Sequence, residues 1–147
     1  MTTVSERGGA PVERTELREI LLIAADEDVV HVRQLVRKAA VAAKLSLVDQ
    51  TKLVTAASEL ARNTLAYGGG GQVTVEVVDD GRRVGVRAEF VDEGPGIPDI
   101  GRAMSDGYTT GGGLGLGLGG ARRLVDEFEL DTKVSLGTRV TVTKWAR

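Results

Sequence analysis

Gln72-Val-Thr-Val-Glu-Val-Val78 and Val84-Gly-Val-Arg-Ala-Glu-Phe-Val91 are two alternating segments separated by a turn at Asp79-Asp80-Gly81. In the first, Val73, Val75 and Val77 share one side of an extended chain. In the second, Val84, Val86, Ala88 and Phe90 do the same. A period of two marks a strand with one buried face, and Asp-Gly between two such runs predicts an antiparallel hairpin.

The segments before the hairpin read as helices. Val29 to Lys44 follows Asp26-Glu27-Asp28, acids that suit a helix N-terminus. Its Val32, Leu35, Val36 and Ala39 recur at helical spacing. Ser46 is a candidate cap for a second helix from about Leu47 to Tyr67, whose Leu53, Val54, Ala57, Leu60, Ala61 and Leu65 trace one face. Four glycines, 68 to 71, stop it. Upstream, Leu17 to Ala25 suits a strand, and the polar residues 1–14, with Gly8-Gly9 and Pro11, suit a loose tail.

Downstream comes a loop with Pro95 and Pro98, then a short helix near Asp99. A run of glycine and leucine from Gly111 to Gly120 follows, and a helix from Ala121 to about Glu127. Phe128 to Ser135 and Arg139 to Trp145 close the chain as a second hairpin turning at Leu136-Gly137. Adjacent strands with segregated helices predict an α+β two-layer α/β sandwich. Its sheet is expected to be mixed but mainly antiparallel, with helices on one face. Residues 15–147 form one domain behind the tail.

The bulk composition narrows the function. Apolar residues make up 41% of 147, and the formal charge is −2. There is no basic excess for nucleic acid. The chain has no cysteine and one histidine, which argues against disulfides, thiol metal sites and Ser-His-Asp chemistry. No apolar run approaches the roughly 18 residues of a membrane span, and no signal-peptide core stands at the N-terminus. A cytoplasmic protein without membrane contact is expected.

Three constellations carry chemistry. Glu59 and Asn63 are four apart in the second helix and share a face, outside the apolar stripe. One reading is a solvated helix face. The other gives Asn63 a Mg²⁺ through its amide oxygen and makes Glu59 a carboxylate base toward a hydroxyl or water. Asp92-Glu-Gly94-Pro-Gly96 ends the second alternating strand. It is an acidic turn, or a site in which the Asp92 carboxylate accepts from the amino group of adenine while Gly94 and Gly96 admit the base. The third is Gly111-Gly112-Gly113-Leu114-Gly115-Leu116-Gly117 and its continuation to Gly120. Successive glycine N–H groups ahead of a helix suit phosphate. Gly115 to Gly120 also satisfies the dinucleotide pattern G-x-G-x-x-G, but the polar Ser105 to Thr110 precedes it where a buried strand is required. No Gly-Lys-Ser/Thr of a Walker loop is present.

In this order, Glu59-x-x-x-Asn63, Asp92-x-Gly94-x-Gly96 and the glycine-rich run resemble the N, G1 and G2 boxes of the GHKL ATPase/kinase superfamily. Gly137-Thr138 resembles its terminal Gly-Thr element. Ser58-Glu-Leu-Ala-Arg-Asn63, Asp92-Glu-Gly-Pro-Gly-Ile-Pro-Asp99 and Arg123-Leu-Val-Asp-Glu-Phe128 narrow the resemblance to small bacterial serine/threonine switch kinases. It spans about residue 17 to the C-terminus. It implies the Bergerat fold, ATP and Mg²⁺. It also implies phosphorylation of STAS-domain scaffold and antagonist proteins in a stressosome-type partner-switching pathway, and activation of a PP2C-type phosphatase by binding.

The resemblance makes Glu59 the general base, Asn63 the Mg²⁺ holder and Asp92 the adenine acceptor. Gly94, Gly96 and the backbone from Gly111 to Gly117 would line the nucleotide site, with Thr138 assisting at the base. Tyr108 to Gly120 holds no Lys or Arg for a γ-phosphate, so Arg62, beside Asn63, or a partner residue is the substitute. His31 is expected at the surface or partly buried. Two other readings stand beside the kinase: a non-catalytic anti-sigma or phosphatase-activating module that binds nucleotide structurally, and an oxidoreductase built on Gly115 to Gly120.

Overall fold

A computed structural model describes residues 2–6, 14–105 and 117–147. Its elements are β1 (Thr2–Glu6), β2 (Arg14–Ile23), α1 (Asp26–Ala42), α2 (Leu47–Ala66), β3 (Gly71–Asp79), β4 (Val84–Asp92), α3 (Ile100–Ala103), α4 (Gly117–Arg123), β5 (Glu127–Lys133) and β6 (Gly137–Trp145). The strands form one six-stranded sheet in the order β1-β5-β6-β4-β3-β2. All five pairings are antiparallel, so the sheet expected to be mixed is antiparallel throughout the described residues.

The alternating hairpin sets the register. Val73 lies opposite Phe90, Val75 opposite Ala88 and Val77 opposite Val86, and all six are buried. Asp79 and Asp80 shape the turn by accepting from the backbone N–H groups of Gly81, Arg82 and Arg83 at 2.8–2.9 Å. Gly81 takes φ +90°, which a β-carbon would resist.

Helices α1 and α2 cover the apolar face. Val32, Leu35, Val36 and Ala39 of α1 and Leu53, Ala57, Leu60 and Ala61 of α2 are buried in one core with Phe90, Phe128, Leu130 and Val142. Ser46 caps α2 as expected, its hydroxyl accepting from the Asp49 N–H at 3.1 Å. Ala25 opens α1, where Asp28 bonds back to the N–H groups of Ala24 and Ala25. These two bonds hold the Asp28 carboxyl below its ordinary pKa.

Three elements differ from the sequence expectation. Thr2–Glu6, within the stretch expected to be a loose tail, pairs with β5 at the sheet edge. Thr-Thr-Val-Ser-Glu suits a strand, and the pairing covers an edge that would otherwise offer open backbone groups. Helix α4 begins inside the glycine run at Gly117 and ends at Arg123, short of Glu127. The sheet takes the chain away from it. The Asp126 N–H bonds the Thr143 carbonyl at 2.9 Å, and the Asp126 carboxylate accepts from the Trp145 N–H at 2.7 Å. Strand β2 begins at Arg14 rather than Leu17, with a register shift between Thr15 and Leu17. Among the described residues no helix is long and apolar enough to cross a membrane.

A second tie fixes α2 on the sheet. Lys144 of β6 is only 4% exposed, and its ammonium lies 3.6 Å from the Asp49 carboxylate and 3.4 Å from that of Asp126. Arg147 reaches the same two acids. The first turn of α2 is thereby anchored at one end of the sheet, and its last turn is aimed at the other.

Candidate nucleotide-binding and catalytic site

That last turn faces a cavity of about 220 Å³. Leu60, Asn63 and Tyr67 contribute to its wall from α2, and Asp92 from the end of β4. The loop after Asp92 adds Gly96 and Ile97, α4 adds Gly117 and Leu118, and β6 adds Thr138 and Val140. Pockets for drug-sized ligands run to roughly 300–1,000 Å³, so this volume suits part of a nucleotide.

Glycines make the juxtaposition possible. The Asn63 carbonyl accepts from the N–H groups of Tyr67 and Gly68, and the Thr64 carbonyl from Gly70 at φ +106°, so α2 closes and turns directly into β3. Gly68 then abuts Asp92, and a β-carbon on Gly68 would overlap that side chain. Asn63 and Asp92, 29 positions apart, thus border one cavity.

Asp92 is half-buried, and burial pushes its carboxyl above the ordinary Asp pKa. Backbone N–H groups of Gly94, at 2.9 Å, and of Thr138 bond the carboxylate and partly oppose that rise. Gly94 packs against the turn after α2, where a β-carbon would come within 2.7 Å of Gly68 Cα. Gly96, at φ +76°, would drive a β-carbon into the Lys133 carbonyl. The Ser135 N–H bonds the Pro95 carbonyl at 2.7 Å. The loop is therefore clamped onto the β5–β6 turn.

Thr138 belongs to a hydroxyl pair. Its Oγ1 lies 2.9 Å from Thr132 Oγ1, which also accepts from the Ile97 N–H at 3.0 Å. Thr132 belongs to none of the sequence motifs. A signal was there: Phe128, Leu130 and Thr132 alternate along β5 and are all buried, so the third is a hydroxyl in an apolar series.

Glu59 is not on a solvated face. It is 1% exposed, and its Oε1 accepts from Arg62 Nη1 at 2.9 Å. Arg62 is turned onto Glu59 and, like Glu59, is not part of the cavity wall. The basic residue in the described wall is Arg102 of α3, which precedes the glycine run in the chain. Gly117, at φ +57°, and Leu118 join the wall where α4 starts. Gly111, Gly112, Gly113, Leu114, Gly115 and Leu116 lie outside the described residues. The described element before them is helix α3, not the strand a dinucleotide fingerprint needs. His31 is exposed as expected and lies 3.3 Å from Asp28.

An antiparallel sheet backed on one face by two long helices, with one cavity between the end of α2 and the loop after β4, defines a two-layer α/β sandwich. The chain belongs to the histidine kinase-, DNA gyrase B- and HSP90-like ATPase family, whose model matches residues 48–147. It is 46% identical over 125 residues to the serine/threonine-protein kinase RsbT of Bacillus subtilis (strain 168), covering 85% of this chain and 94% of that one. It is 29% identical over 142 residues to an anti-sigma F factor of Thermoanaerobacter sp. (strain X514), covering 91% and 96%. The crystal structure of the RsbU and RsbW domains of Rv1364c from Mycobacterium tuberculosis shares the fold. Its TM-score is 0.62 at 23% identity, covering 89% of this chain and 33% of that one. The 46% identity, over nearly the whole of both chains, carries the enzyme class: a serine/threonine protein kinase that binds ATP.

Proposed function

We propose that this kinase transfers the γ-phosphoryl group of ATP to a serine or threonine of STAS-domain scaffold and antagonist proteins. In the same partner-switching, stressosome-type pathway it would activate a PP2C-type phosphatase by binding it in the cytoplasm. One observation carries the site assignment: Asn63 and Asp92 border the same cavity, with the buried Glu59 one helical turn before Asn63.

In this reading the Asp92 carboxylate accepts from the adenine amino group, and Gly94 and Gly96 let the backbone close on the base. Thr138 supports the same end. Gly111 to Gly117 would supply the backbone N–H groups for the phosphates. Among the described residues no cluster of three His, Cys, Asp or Glu could cage a metal. The Asn63 amide, a hard oxygen donor in the wall, fits a Mg²⁺ held mostly by phosphates and water. That ion, when bound, neutralises charge on the phosphates. Glu59 takes the proton of the attacking hydroxyl, and Arg62 orients the Glu59 carboxylate. Phosphoryl transfer needs chiefly positioning and charge stabilisation, and this set supplies both.

The similarity to anti-sigma F factors favours one other reading, a nucleotide-binding module that acts by protein contact alone. Transfer of label from [γ-³²P]ATP to STAS-domain proteins encoded nearby, followed by phosphosite mapping, separates the two. Label on the STAS protein supports the kinase reading, and tight binding without label supports the module.

A further inference from the structure

Arg102 is the one basic side chain among the described residues lining the cavity, whose acids are Asp92 and Asp99. Its backbone is held from both sides. Its N–H bonds the Asp99 carboxylate at 2.9 Å, and its carbonyl accepts from the Ser105 N–H at 3.1 Å and the Ser105 hydroxyl at 2.6 Å. The next residue, Ala103, is buried in the core with Leu118 of α4. A β-carbon on Gly119 would overlap the Met104 carbonyl, so α3 ends packed on the first turn of α4. The exposed Arg102 side chain therefore leaves a fixed backbone and lines the same cavity as Asn63 and Gly117. In the sequence, no Lys or Arg stands between Arg102 and Arg122, and Arg62 is turned onto Glu59.

We propose that Arg102 holds the phosphate chain of the nucleotide and so supplies the positive charge that the glycine-rich run lacks. This deepens, and rests on, the reading of the cavity as an ATP site. A triphosphate brings several negative charges to a wall that already carries two carboxylates, Asp92 and Asp99. A guanidinium stays ionised at any working pH, and its planar fork donates two parallel N–H bonds to phosphate oxygens. The turn from Asp99 to Ser105 is locked by its own hydrogen bonds. Only the Arg102 side chain has to order on binding, which keeps the entropy cost small. Arg102 then discriminates by charge: a nucleoside gains nothing from it, and a triphosphate gains a charge-assisted pair of bonds.

Calorimetry on the full chain, with Mg²⁺ present, compares ATP with adenosine, which keeps the base and sugar and lacks the phosphates. R102M keeps most of the stem and removes the charge. Its ATP affinity should fall about tenfold, while its adenosine affinity stays at the wild-type value. R102K keeps the charge without the fork and should recover part of the loss. Added salt should weaken ATP binding to the wild type more than to R102M, because screening acts on one charge fewer in the variant. Arg102 is exposed, so unliganded R102M should unfold at the wild-type urea midpoint. An ATP/adenosine affinity ratio in R102M equal to that of the wild type, whether both affinities hold or both fall, overturns the inference and leaves the ATP site in place. So does an R102K that binds ATP no tighter than R102M. A wild-type chain that binds neither ATP nor adenosine overturns the ATP-site reading itself, and this inference with it.

Discussion

Gly68 lies against Asp92 so closely that a β-carbon on the glycine would overlap both Cβ and Cγ of the aspartate. The end of α2 is therefore seated on the carboxylate, with the Thr64 carbonyl on the other side, 2.6 Å from the same missing atom. Neither neighbour can yield without moving the cavity wall. Gly68→Ala should keep the fold but weaken ATP binding about tenfold, the cost of displacing one carboxylate hydrogen bond. The control is next door: Gly69 has φ +71° and nothing within 4 Å of its missing β-carbon. Gly69→Asn, which tolerates that φ, should bind ATP as wild type does in the same calorimetric titration.

Asp92→Asn should separate binding from stability. Burial raises the Asp92 pKa, so the folded chain holds this proton to higher pH than the unfolded chain does. The stability from this group is complete below the ordinary Asp value and is lost as pH rises through the raised one. Asn does not ionise, so at neutral pH the unliganded variant should unfold at an equal or higher urea midpoint. Its ATP affinity should nonetheless fall about tenfold, because one acceptor becomes partly a donor. Wild-type ATP affinity should also drop on acidification at a pH above the ordinary carboxylate range. A variant that binds ATP as tightly as wild type would remove Asp92 from the adenine site.

Much of this arrangement was legible because it follows from short-range pattern. The period of Val73, Val75 and Val77 and the glycines after α2 predict the elements that frame the cavity. The spacing of Glu59 and Asn63 places them one helical turn apart. What pattern could not reach depends on the partner a side chain finds. Arg62 looks available beside Asn63, yet the buried Glu59 holds it. Thr132 looks like ordinary strand chemistry until Ile97 and Thr138, 35 positions before and six after it, converge on its hydroxyl. Thr2–Glu6 is too polar to announce a buried strand, and it needs none, because an edge strand is held by backbone ladders.

Lys144 should prove costly to remove although it is remote from the nucleotide. Its ammonium lies between Asp49 and Asp126, and Arg147 covers the same acids from outside. Taking one charge from a buried group leaves the others poorly compensated, by about 3 kcal/mol in comparable cases. Lys144→Ala should lower the stability by that order in urea unfolding. With the first turn of α2 loosened, ATP affinity should fall as well. Lys144→Met, which restores the stem but not the charge, should recover little of either. Wild-type stability in both variants would mean that the apolar core alone places α2.

Glu59→Gln tests the chemistry most directly. Glu59 is buried and hydrogen-bonded to Arg62, and neither residue is part of the cavity wall. Glutamine keeps the shape and the acceptor oxygen that Arg62 uses, but it cannot take a proton from a serine or threonine hydroxyl. If Glu59 is the base, the transfer rate to a STAS-domain acceptor should fall by roughly 10²–10⁴, the usual worth of general-base catalysis. ATP affinity should stay near wild type, because Asp92 and Asn63 are untouched. Arg62→Ala should sit between the two, slowing transfer by disturbing the carboxylate without abolishing it. Single-turnover kinetics with saturating ATP reads the chemical step apart from binding. An unchanged single-turnover rate in Glu59→Gln would transfer the base role to another group and leave Glu59 as the buried partner of Arg62.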